Sequence, residues 1–135
     1  MSTRANIVLT ETFSWKEKGK EKSVTKKLFF YRHSDGYPEG TLPTLNIFMD
    51  WLKRGVIRNN LGQSAGWLII IGAMECESIP NVKVTDKGMI SQKTDIVDPE
   101  DWKVGAYEPT TGIHGDIEWL YTIDLTKKEL TYSHV

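Results

Sequence analysis

Arg32-His33-Ser34-Asp35-Gly36-Tyr37-Pro38-Glu39-Gly40, RHSDGYPEG, separates two different hydrophobic periods in a chain of 135 residues. Before it apolar side chains recur every second residue, and after it every third or fourth. The stretch has the chemistry of such a change. Asp35-Gly36 is a turn pair, because Asp bonds back to its own backbone and Gly accepts positive φ. Tyr37-Pro38 holds an extended residue before the ring, which stops a strand and aims the chain at a helix. Glu39 near that helix's N-terminus complements its dipole.

Working backwards, Ser23 to His33 reads as a strand with Val24, Leu28 and Phe30 on one face and Phe29 and Tyr31 on the other. Lys16 to Lys22 reads as a polar loop centred on Gly19. Arg4 to Trp15, with Ile7, Leu9, Phe13 and Trp15 in step, supplies the partner strand of a hairpin. Working forwards, Thr41 can cap a helix whose face is Leu42, Leu45, Phe48, Met49 and Leu52, with Pro43 in its first turn and Gly55 as a left-handed stop. Gln63 to Glu77 is predicted as a second helix. Its centre, Trp67 to Ile71, would also pass as an interior strand, and length decides for helix.

Residues 78–98 carry turn signals and a weak Val82-Val84 alternation, so they are expected to be irregular with one short strand. Asp98 to Trp102 has the form of a capped helical turn, and Lys103 to Tyr107 that of a short strand. Ile117, Trp119, Tyr121, Ile123 and Leu125 then share one strand face, followed by a turn at 126–129 and a return through Leu130, Tyr132 and His134. Two hairpins with one apolar face each need a cover. The prediction is a single α+β domain over 1–135: an antiparallel sheet of the N-terminal and C-terminal hairpins, covered on one face by two central helices.

Composition narrows the function classes. Apolar residues at 39% and charged residues at 26% suit a folded globular protein. The lone Cys76 cannot form an internal bridge, and no apolar leader with a small-residue cleavage site opens the chain, so a cytoplasmic location is expected. The longest apolar run, Ala65 to Met74, falls well short of the about 20 residues that cross a bilayer, so no membrane association is expected. Net charge is −1 but polarised, with six lysines against two glutamates over Lys16 to Lys27. That segment carries no aromatic residue of its own, so nucleic-acid binding through it is not favoured, and a solvated hairpin tip is the simpler reading.

If the strand ending at His33 runs antiparallel to the one following Asp116, both loops meet at one sheet edge. His33, Asp35, His114, Asp116 and Glu118 would then gather there. Imidazoles and carboxylates suit a divalent transition metal, with His33, Asp35, His114 and Asp116 as ligands and Glu118 as general base of a metal-dependent hydrolase or phosphodiesterase. His-x-Asp is a short pattern, however, and no His-Glu-x-x-His or Cys-x-x-Cys spacing supports it. No cofactor is the first expectation. Ser34 has no nucleophile elbow, and Gly62-Gln-Ser-Ala-Gly66 matches neither phosphate-binding fingerprint. The favoured reading is a binding edge for a protein partner, formed by His33, Asp35, Tyr37, Glu39, His114 and Asp116. Trp51, lying beside its helix stripe, is added as an exposed anchor.

Leu28 to Gly40, LFFYRHSDGYPEG, and Gly115 to Leu125, GDIEWLYTIDL, resemble two stretches of a family of small uncharacterised proteins carried by phages and mobile elements. The resemblance covers about half the chain and implies no assigned activity. What it implies is context: such proteins often act by stoichiometric binding, for example against a CRISPR-type bacterial defence nuclease complex in the host cytoplasm.

Overall fold

The computed structural model describes residues 2–76, 82–85, 88–91 and 104–135. Strands β1 (Ala5–Glu17) and β2 (Lys20–Arg32) form an antiparallel hairpin closed by two residues, Lys18 and Gly19, at φ 52° and 78°. Positive φ at both central positions is the mark of the type I′ turn, whose twist matches the strands on either side. The expected seven-residue Lys-rich loop is therefore two residues long. The lysines around it are strand residues, because the tight turn keeps the ladder in register out to Glu17↔Lys20.

Helix α1 (Pro38–Lys53) begins three residues before the predicted cap. Tyr37 holds the cap position without a side-chain bond, and its carbonyl accepts from the Gly40 and Thr41 amides, each at 3.0 Å. Pro38 opens the helix because its fixed φ suits the first turn and its missing N–H would be unpaired there. Thr41 is inside the helix and buried, donating through Oγ1 to the Asp35 carbonyl at 2.9 Å, and Pro43 lies inside as well. Gly55 does end α1. At φ 71° it donates to Leu52 O at 3.2 Å while Val56 donates to Trp51 O at 3.0 Å, the paired bonds of a Schellman stop.

Helix α2 (Leu61–Glu75) is capped by Asn60, whose side chain accepts from the Gln63 amide at 2.8 Å. Trp67 to Ile71 is thus helical. Strands β3 (Val82–Thr85) and β4 (Gly88–Ser91) pair antiparallel in a sheet of their own. The turn expected at Asp98 to Trp102 lies outside the described residues, as does most of 78–98. The short strand expected up to Tyr107 falls immediately beyond it, as β5 (Glu108–Thr110), followed by β6 (Trp119–Asp124) and β7 (Glu129–His134).

The five-stranded sheet has the order β5-β2-β1-β6-β7. Each hairpin is antiparallel, as expected, but β1 and β6 run parallel, so the sheet is mixed. The two helices lie on the face carrying Ala5, Ile7, Leu9, Phe30, Tyr121 and Ile123, and bury it with Leu45, Phe48, Leu52, Leu68 and Ile71. Trp51 belongs to this layer. It is 6% exposed and meets Trp67 edge-on at 6.0 Å, so it joins the two helices and is no exposed anchor.

One polar group is built into the same layer. Arg32, 2% exposed, clamps both oxygens of Glu75 at the end of α2, at 2.7 and 3.1 Å, and donates to the Gly40 carbonyl at 3.1 Å. Its guanidinium lies 5.2 Å over the ring of the fully buried Tyr107, whose hydroxyl bonds Thr44. Burial pushes the Tyr107 phenol up to about 12, against the lowering influence of Arg32 and Thr44. The unfolded phenol ionises near 10 and the folded one only near 12. Stability is therefore intact below pH 10 and falls between the two values, by about 2–3 kcal/mol. Urea titrations across pH 9–12 are expected to show that decline, and Tyr107→Phe should flatten much of it.

Candidate functional site

β2 is antiparallel to β1, and β6 is parallel to β1, so the end of β2 and the approach to β6 lie at one end of the sheet. The sequence-based juxtaposition therefore holds. Tyr31, on the last turn-ward stretch of β2, is its centre. Its hydroxyl donates to Asp116 Oδ2 at 3.4 Å and lies 3.3 Å from His33 Nδ1, while its ring stacks on His114 with centroids 4.1 Å apart. Arg4 completes the group, with Nε 3.4 Å from Asp116 Oδ2 and 3.5 Å from His33 Nδ1.

His114 is fixed on three sides. Its amide donates to the buried Asn6 Oδ1 at 2.7 Å, Nε2 bonds Thr110 Oγ1 at 2.8 Å, and Tyr31 covers its ring. This is how the 111–116 loop folds onto the side of the sheet away from the helices. Asp35 sits in the turn at φ 56° and accepts from the Tyr37 hydroxyl at 3.2 Å. The Asp35 carboxylate, foremost, raises the Tyr37 phenol; for Tyr31 the leading cause is desolvation, followed by Asp116. Both phenols remain donors at neutral pH. Gly36 fixes the turn against β1: its amide bonds Thr3 O at 2.9 Å and its carbonyl accepts from the buried Tyr121 hydroxyl at 2.7 Å.

The rim so formed exposes Asp35, Tyr37, Glu39, Asp116 and Glu118, with Glu108 beside Tyr31. Among the described residues, no three His, Cys, Asp or Glu side chains stand close enough to share one metal ion. No family model, curated protein or solved structure matches this chain. The site must be read from its own chemistry.

Sequence reasoning placed His33, His114 and Asp116 together but missed Arg4, Asn6 and Thr110, which hold them. Alternation could have singled out Tyr31 and Asn6, cross-strand partners on one face. Nothing local marks Arg4. A shallow pocket of about 270 Å³ beside the rim is lined by Arg32, Asp35, Glu75 and Cys76 among others. Burial, and then Glu75, push the Cys76 thiol up, away from the thiolate a nucleophile needs.

Proposed function

We propose that this protein is a non-catalytic binding protein whose acidic rim docks a protein partner. The observation that carries the reading is the state of the rim. Its imidazoles and Asp116 are held by Arg4, Tyr31, Asn6 and Thr110, while its carboxylates and Tyr37 face solvent. A surface ordered before it binds loses little side-chain freedom on docking, and Tyr37 offers a large contact area with one polar tip. A hydrolase would need the same groups to converge on an open position, and here they are turned to one another. The Arg4–Asp116 pair is half exposed and adds little stability, so it can exchange for a basic group on a partner.

The resemblance to small phage proteins makes a bacterial defence nuclease complex the first partner to test. Immobilised protein is expected to retain one such complex stoichiometrically at physiological salt, and a Tyr37→Ala, Glu39→Lys variant to lose it. Retention that is indifferent to the double change would move the contact off the rim. Zinc, manganese or nickel raising the melting temperature, with chelator reversing it, would restore the hydrolase reading.

A further inference from the structure

The far end of the β1–β2 hairpin is a different surface. Glu11 is the last β1 residue tied to the helix layer, accepting from the Leu61 amide at 2.9 Å, and Thr12 the last tied to the β6–β7 turn, through Thr126 at 2.9 Å. Beyond them five residues of each strand project with both sheet edges open among the described residues, an arm of roughly 15 Å. The strand face that is core at Ile7 and Leu9 continues along this arm without a cover. Register puts Phe13 opposite Val24 and Trp15 opposite Lys22, with Lys26 on the same face. Phe13 and Trp15 are 41% and 45% exposed, and Lys26 Nζ lies 5.4 Å over the Phe13 ring.

The lysine run that lacks aromatic residues in sequence thus acquires them from the opposite strand. We infer that this arm binds single-stranded nucleic acid, with Trp15 and Phe13 stacking on unpaired bases and Lys22, Lys26 and their neighbours meeting phosphates. The charge is complementary, at six lysines against two glutamates over residues 16–27 in a chain of net charge −1. Exposed rings on a sheet surface interleaved with cations are the stacking platform that unpaired bases need, and duplex bases, already stacked, cannot use it. A lipid surface fits less well, because the tip Glu17-Lys18-Gly19-Lys20 is charged at three of its four residues and has no large apolar side chain to insert.

Fluorescence anisotropy with a labelled 20-nucleotide oligo(dT) tests this. Binding is expected at 50 mM salt, weakening steeply toward 200 mM. Trp15→Ala should weaken it about tenfold, and the Lys22→Gln, Lys26→Gln pair should flatten the salt dependence. All three positions are exposed, and circular dichroism checks that the variants stay folded. Absence of binding at 50 mM salt, affinity unchanged by Trp15→Ala, equal or tighter binding to the duplex form, or preference for phosphatidylserine vesicles would each overturn the proposal. The arm and the rim are opposite ends of β1, so rim variants should leave oligo(dT) affinity unchanged, and the two readings fail separately.

Discussion

Arg32→Ala is expected to lower the unfolding free energy by about 3–5 kcal/mol, the usual result of removing one member of a buried, hydrogen-bonded ion pair. The size follows from what is left behind. Glu75, its side chain only 25% exposed, loses both guanidinium contacts and among the described residues keeps only the Thr44 hydroxyl at 3.0 Å, and the Gly40 carbonyl loses the guanidinium as well. Each is the end of a different element, so the change also unties the β2 terminus from the start of α1 and the end of α2. Urea denaturation measures the loss directly. Arg32→Lys should recover only part of it, because an ammonium cannot grip both Glu75 oxygens and reach Gly40 in the same plane. A loss below 1 kcal/mol for Arg32→Ala would mean that water replaces the guanidinium and that the clamp is not structural.

Gly105→Ala should be similarly damaging, at about 3 kcal/mol or more, for a steric reason. A Cβ at Gly105 would run into the backbone of Ala73 and Gly72 near the end of α2. The Ala106 amide donates to Gly72 O at 3.1 Å across this contact, and a Cβ at Gly72 would in turn strike Tyr107. Because both sides are main chain, no rotamer change relieves the overlap, and the segment must lift, taking Tyr107 out of its pocket. The melting temperature should fall by roughly 10 °C. An unchanged melting temperature would show that 104–107 can shift without disturbing α2.

Some elements were open to sequence reasoning because their causes are local. Alternation marked β1, β2 and β6, and 3.6-residue spacing marked α1. Gly55 is punctuation that depends on its own φ, whereas at Asp35-Gly36 the positive φ falls on Asp35, and Gly36 is required because a Cβ there would strike Thr3, Arg4 and Ala5. Where a local cue had two readings, the reading failed or slipped. Thr41 looked like a cap, yet Pro38 starts the helix and turns Thr41 inward to Asp35 O. Lys16 to Lys22 looked like a loop because lysine and glutamate are polar, yet ladder pairing is indifferent to that polarity on an exposed arm. Trp51 looked peripheral to one helix stripe. It is central to the contact between two helices, which a single helical wheel does not contain.

The candidate rim divides in the same way. Its convergence followed from strand direction alone: any sheet in which β2 and β6 run oppositely brings His33 and Asp116 to one end. Arg4 as their common donor and Asn6 as the anchor of His114 are consequences of pairing partners distant in sequence. By itself the chain determined the order of the main strands and helices and the stop of α1 at Gly55, since those are set by side-chain period and backbone angles within a few residues. Tertiary structure decided that the hairpins join in parallel, that Arg32 is buried, and which polar groups face one another. Those depend on contacts closed only when the whole sheet and its two helices are assembled.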